Sequence, residues 1–303
     1  MHIPDGFLSA RVAAATSVVA AACLASALRA ERKETAPLPA GVLGSVAAFL
    51  FAAQMINVPV AAGTSGHLVG ATLASVLFGP WRALLAIASV LAVQALLFQD
   101  GGILAYGANV VDMGVLGCFA GYAVARVVRG LGRGPRAIAT GAVFGAFFAT
   151  LCGAVSASIW LALSGLYPLS GILPPMLVTH AAIGLLEAGL TGAVLVALLR
   201  FRPDLVVGLD DGAASYRPVV VGLGLLGVAL AMAAFVAPFA SALPDGLQTT
   251  AGKLGFATRE APAWPPLATT GPIVAGVLGT LLTAVLAFVI SRALSGGGRD
   301  AHR

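Results

Sequence analysis

The sequence predicts an all-α fold, a polytopic bundle of transmembrane helices, and three observations carry that expectation. Of 303 residues, 59% are apolar and only 10% charged, whereas a soluble domain holds about a quarter charged residues. Mean hydropathy is +0.99. Apolar stretches recur along the whole chain between turn-rich connections, and in lipid a helix is the element that satisfies its own backbone polar groups. The 38 glycines and the long alanine runs let such helices approach one another closely.

Nine segments are expected. The first, at 12–28, is Ala-rich and free of charge, and Arg29, Arg32 and Lys33 end it. The second covers 40–60. The third, 68–79, falls short of the roughly 20 residues that a spanning helix needs, so it is expected to be tilted, extended at its ends or partly re-entrant. Segments follow at 83–98, 110–125, 138–163 and 177–199, and the last two lie at 218–240 and 271–291. Small residues four apart, Gly66 and Gly70, Gly117 and Gly121, Gly141 and Gly145, fit close helix packing and require no other role.

Net charge is +5, from 17 basic and 12 acidic residues. Placing the N-terminus outside the cell and alternating from there puts 14 of the 17 basic residues on the cytoplasmic side, leaving Arg11, Lys253 and Arg259 outside. The positive-inside rule is met, so the basic balance reports topology and not a nucleic-acid partner. The stretch 201–217, with Pro203, Asp204, Asp210, Asp211 and Gly212, reads as a cytoplasmic linker. It divides a seven-segment module, 1–200, from a two-helix module, 218–303, whose loop 241–270 lies outside the cell.

Cys23, Cys118 and Cys152 lie far apart inside apolar runs and read as small buried hydrophobes. Met1 to Arg11 carries Asp5 and one basic residue. A cleaved signal peptide begins with positive charge, so the N-terminus is expected to be retained.

Four histidines are present: His2, His67, His180 and His302. In the topology above His2 and His67 both reach the outer face, the second in the turn Gly63-Thr64-Ser65-Gly66-His67. The amine of Met1, the peptide nitrogen of His2 and the His2 imidazole can close two fused chelate rings around one ion. One nitrogen from His67 completes four in a plane, a geometry that selects Ni(II) or Cu(II) over Zn(II) and leaves Co(II) open. Met1, His2 and His67 are therefore the candidate metal ligands.

The opening Met1-His2-Ile3-Pro4-Asp5-Gly6-Phe7-Leu8, the Gly63 to His67 turn, Leu77-Phe78-Gly79-Pro80 and Gly107-Ala108-Asn109-Val110 closely resemble the NikM/CbiM family. These are the substrate-binding components of energy-coupling-factor nickel and cobalt importers. Pro244-Asp245-Gly246-Leu247, followed by Lys253-Leu254-Gly255-Phe256, is similar to the small two-helix NikN/CbiN-type partner, here fused through the linker. The resemblance implies the same ligand set, the Met1 amine, the His2 backbone nitrogen and imidazole, and the His67 imidazole. It also implies a multi-pass protein of a bacterial or archaeal cell membrane with its C-terminus in the cytoplasm. A separate transmembrane scaffold and a pair of cytoplasmic ATPases would complete the importer. One departure is Gln248, where the partner module often carries an acid.

Asn57, Asn109 and Asp112 stand at outer ends of segments, where they either hydrogen-bond the second nitrogens of the ligand imidazoles or cap helix ends. His180 and Glu187 are seven apart and share one helix face, as a functional intramembrane pair or as groups that satisfy each other. Gly246 and Gly252-Lys253 imitate a phosphate-binding loop without forming one. Five residues separate the glycines where the motif has four, and Leu254 replaces its Ser or Thr. No Ser-His-acid or His-Glu-x-x-His spacing occurs, so a transporter component and not an enzyme is expected. No cofactor is expected beyond the transported ion. A membrane metal sensor would share the terminal chelate and stays open, as does Co(II) in place of Ni(II).

Overall fold

In the computed structural model, residues 2–34, 39–61, 63–202, 206, 217–261 and 271–296 are described. Helix α1 (Ala10–Lys33) starts on Ser9, whose hydroxyl accepts from the Val12 amide, and carries Arg32 and Lys33 in its last turn, where cations complement the helix dipole. It is followed by α2 (Ala40–Gln54), a hairpin of β1 (Val58–Pro59) and β2 (Ser65–Gly66), and α3 (Ala71–Phe78). The hairpin is antiparallel, with Val58 opposite Gly66 and Pro59 opposite Ser65. Gly79, in a left-handed conformation open to glycine, turns the chain into α4 (Pro80–Val93), whose first residue is proline.

The remaining helices are α5 (Tyr106–Asn109), α6 (Gly121–Gly130), α7 (Gly134–Leu163), α8 (Leu169–Phe201), α9 (Pro218–Ala231), α10 (Gly246–Leu254) and α11 (Pro272–Gly296). Wider π-helical turns extend α4 through Gln94–Phe98, join α5 to α6 through Val110–Ala120, and extend α9 through Met232–Val236. Seven of the resulting helices are long and apolar enough to cross a membrane: Ala10–Lys33, Pro80–Phe98, Tyr106–Gly130, Gly134–Leu163, Leu169–Phe201, Pro218–Phe239 and Pro272–Leu294.

Two of the nine expected segments differ. The stretch 40–60 is helical only to Gln54, and 68–79 contributes the eight residues of α3. Between them the chain leaves helical geometry, at Asn57 and Pro59, yet Thr64, Ser65, His67 and Leu68 are buried. Non-helical backbone is tolerated in a membrane protein where protein surrounds it and its polar groups find partners. Here α8 supplies them. The Glu187 carboxylate accepts from the Val69 amide at 2.7 Å and the Gly70 amide at 2.9 Å, at the N-terminus of α3 where negative charge is favoured.

Helices α7 and α8 pack along each other, α6 lies on α7, and α2 is enclosed by α4, α9 and α11. Close approach depends on small residues. A side chain on Gly145 would strike the carbonyl of Gly121, and one on Gly107 the backbone of Ser17. Toward one end of α1 and α4, Arg82 Nε donates to Glu31 Oε2 at 2.8 Å. Of the expected linker only Phe201, Arg202, Val206 and Arg217 are among the described residues, and 262–270 of the outer loop lies outside them.

Candidate metal centre

The N-terminal arm, Ile3 to Ser9, is threaded into one end of the bundle. Ile3 is completely buried, and its backbone is gripped on both sides by one side chain. The Ile3 amide donates to Asn109 Oδ1 at 2.8 Å, while Asn109 Nδ2 donates back to the Ile3 carbonyl at 3.0 Å. Two residues on, the Asp5 carboxylate accepts from the amides of Ile103, Leu104 and Ala105, the free donors ahead of α5. Phe7 rests edge-on against Phe256, with ring centroids 5.4 Å apart.

This anchoring places His2 beside His67. The two rings lie 5.5 Å apart, centroid to centroid, with their planes 26° apart, and both residues are buried. An imidazole bound to an ion has its centroid about 3 Å from the metal, so two rings on one ion stand about 4 to 6 Å apart. The observed spacing falls in that range. Among the described residues no three His, Cys, Asp or Glu gather to hold an ion, so a four-coordinate site on these two rings needs further donors. Met1 lies outside the described residues.

His2 Nε2 lies 3.2 Å from Gln94 Oε1, and His2 Nδ1 lies 3.1 Å from Asp100 Oδ1. Gln94 is in turn fixed by donating to Gln54 Oε1 at 3.0 Å, and Gln54 donates to the Val69 carbonyl at 3.1 Å. A chain of amides thus runs from the imidazole to the loop that carries His67. Burial lowers the pKa of His2 from its usual 6.5, and burial lowers that of His67 well below 6.5. Both imidazoles are held neutral, the form that ligates metal.

Asn57, Asn109 and Asp112, read from the sequence either as partners of the imidazoles or as helix caps, make other contacts. Asn109 clamps the Ile3 backbone, as described. Asp112 accepts through Oδ1 from Ser156 Oγ and from Trp160 Nε1. Asn57 accepts through its backbone carbonyl from the Ser241 amide, and its side-chain oxygen is buried without a partner. The imidazole's second partner is Gln94, a polar residue inside the apolar run 83–98. That contrast with its neighbours was the signal available for it. His180 and Glu187 do not pair with each other either. Glu187 holds Val69 and Gly70, and His180 Nδ1 meets the Met176 carbonyl at 2.8 Å.

The segment 241–261 covers this end of the molecule. Ser65 Oγ donates to the Leu243 carbonyl at 2.6 Å, Thr64 and Thr249 hydroxyls lie 3.1 Å apart, and the Ala261 amide donates to the Asp5 carbonyl at 2.8 Å. Asp245 and Gln248 form a reciprocal cap at the start of α10, each side chain accepting from the other's amide. Glutamine does here what an acid would do, so the departure at Gln248 leaves the local structure intact. Gly6, at φ +95°, faces the Arg259 carbonyl so closely that a Cβ has no room.

Residues 2–205 match the family model described as the cobalt uptake substrate-specific transmembrane region, CbiM. The chain is 33% identical over 307 residues to a putative fused nickel transport protein NikMN of Archaeoglobus fulgidus, an alignment covering 96% of this chain and 98% of that one. It is 36% identical over 243 residues to the cobalt transport protein CbiM of Geobacter sulfurreducens, covering 74% of this chain and 68% of the relative. A crystal structure of a transition metal transporter superposes with a TM-score of 0.59 at 31% identity, over 69% of this chain and 96% of its own. With its matched N-terminal two thirds, its buried histidine pair and its full-length fused relative, the chain belongs to the NikM/CbiM family of nickel and cobalt transport membrane proteins, with a NikN-type module fused behind.

Proposed function

We propose that this chain is the substrate-capturing component of an energy-coupling-factor importer. It takes Ni(II) from the outer side of a bacterial or archaeal cell membrane and passes it to the cytoplasm. The observation that carries the reading is the buried pair His2 and His67, set 5.5 Å apart at the end of an arm that Asn109 and Asp5 hold in place. With Met1 as first residue, its amine, the His2 peptide nitrogen and His2 Nδ1 form a five-membered and a six-membered chelate ring, and His67 supplies the fourth nitrogen. Gln94 holds Nε2 of His2, leaving Nδ1 to exchange its contact with Asp100 for the ion. Four nitrogens in a plane favour Ni(II).

Orientation follows from charge: the histidine pair faces outside, and the C-terminus faces the cytoplasm. A transmembrane scaffold and cytoplasmic ATPases supply the work, since the sequence carries no phosphate-binding loop. The exposed Val18 and Val19 of α1 offer the scaffold an apolar face flanked by alanines. The fused module, 218–303, governs access to the site through the segment over Thr64 and Ser65. A second reading, Co(II) as cargo, is favoured by the name of the Geobacter sulfurreducens relative.

The deciding measurement is the metal that co-purifies with the intact, untagged chain. Nickel in about equimolar amount is expected, and cobalt in its place selects the second reading. Inserting one Ala between Met1 and His2 enlarges the chelate, and nickel affinity is expected to fall by at least about 100-fold, more than the loss of a supporting hydrogen bond brings. Unchanged affinity would remove the terminal chelate from the reading.

A further inference from the structure

A cavity of about 50 Å³ adjoins the capture site, walled by His67, Thr72, Asp112, His180, Glu187 and Asp245 among smaller apolar side chains. It has room for a few water molecules or a partly hydrated ion. Three of its walls present buried polar atoms without a partner: Nδ1 of His67, which belongs to the capture site, and one atom each of His180 and Asp112. His180 Nδ1 lies 2.8 Å from the carbonyl of Met176, which can only accept, so the neutral ring carries its proton on Nδ1 and a lone pair on Nε2. That Nε2 has no partner although the residue is 1% exposed. Asp112 spends Oδ1 on Ser156 and Trp160, yet its Oδ2 is buried without a partner on a residue 2% exposed.

Inside a transmembrane bundle an unsatisfied imidazole lone pair and an unsatisfied carboxylate oxygen are both costly. Glu187, by contrast, is fully used by Val69 and Gly70. Asp112 also lies in the π-helical stretch Val110–Ala120, a widened turn of the kind that recurs at functional positions. One nitrogen and one carboxylate oxygen are the donor types of a borderline divalent cation.

We infer that His180 Nε2 and Asp112 Oδ2 form an inner station for the transported divalent cation, one step inward from His2 and His67. The inference rests on the metal-transport reading above. Among the described residues no three His, Cys, Asp or Glu come together, so the ion keeps water in its remaining positions and is held loosely. A station in transit must bind weakly enough to release. His67 borders both places and is the side chain past which the ion moves. Asp245 of the fused module borders the cavity, and on its neighbour Gly246 an added Cβ would stand 2.7 Å from His180 Cε1 and 3.1 Å from Nε2.

The test titrates the full chain in lipid nanodiscs with Ni(II) alone and counts bound ions by equilibrium dialysis. Wild type is expected to bind one ion tightly and a second at least about tenfold more weakly. His180→Gln and Asp112→Asn, which keep size and hydrogen-bonding capacity, retain the tight ion within about twofold and lose the second. Gly246→Ala presses on the His180 ring without removing either donor and weakens the second ion alone. Wild type that binds a single ion up to millimolar nickel overturns the station, whatever the variants do. A second ion that persists in both ligand variants overturns it equally. Tight binding present in either case leaves the capture site standing, whereas no bound ion at all overturns both readings.

Discussion

At His2 the two ring nitrogens lie against Gln94 Oε1 and Asp100 Oδ1, and a neutral ring donates to only one of them. Because burial lowers the imidazole pKa values of His2 and His67, both rings are already neutral at pH 7 and give up no proton to the metal. In the proposed chelate the terminal amine, with a usual pKa of about 8, and the peptide nitrogen would give up protons. Calorimetry in buffers of different ionisation enthalpy should therefore show release of about one proton or more at pH 7, and release near zero contradicts the terminal chelate. The imidazoles enter only further into acid, so their share of the affinity persists as pH falls through 6.5. Stability behaves differently. Unfolded chains take up protons at these histidines below about 6.5 while the folded chain does not, so acid destabilises the fold from that point down. Asn109 is the residue whose loss separates position from ligation. Asn109→Leu frees the Ile3 backbone without removing any donor, and nickel affinity measured on the folded protein should drop about 10- to 100-fold.

The element that decides the site is the non-helical run from Met55 to Gly70. Its hydrophobicity reads as part of two membrane helices, yet Pro59 lacks an amide hydrogen and Gly63 and Gly70 take positive φ values of 74° each, so a helix cannot pass through. What keeps the run buried is α8. Glu187→Ala leaves the Val69 and Gly70 amides without acceptors, at about 1–3 kcal/mol each. The thermal midpoint should fall, and metal affinity with it because His67 sits two residues before Val69. Glu187→Gln retains an acceptor and should lie between. A midpoint unchanged in Glu187→Ala would show that water replaces the carboxylate.

On the scale of the whole molecule, the segment 241–261 belongs to the second module but touches the first at Asn57, Thr64, Ser65 and Asp5. His2 and His67 both precede it. A chain ending near Arg202 is therefore expected to bind nickel yet support uptake poorly in cells that carry the partners, and to release bound metal faster because its cover is gone. His67→Ala should do the reverse, assembling with the partners but carrying no metal. Failure of the folded, inserted truncated chain to bind metal would place part of the site in the second module.

Helices, their number to within two short segments, and the pairing of His2 with His67 were legible in the sequence. Apolar runs report burial along the chain, and the expected topology put His2 and His67 at one membrane face. The supporting residues were not legible. Gln94 meets His2 across 92 positions, Asn109 meets Ile3 across 106, and Glu187 meets Gly70 across 117, and hydropathy periodicity carries no information at such separations. The polarity of Gln94 inside its apolar run marked it as unusual without naming a partner. Composition and short motifs thus determined a metal-transport membrane bundle. Only the tertiary structure decided which buried polar groups hold His2 and the loop of His67 in place and which, at His180 and Asp112, are left without a partner, because satisfying a buried polar atom depends on what folding brings next to it.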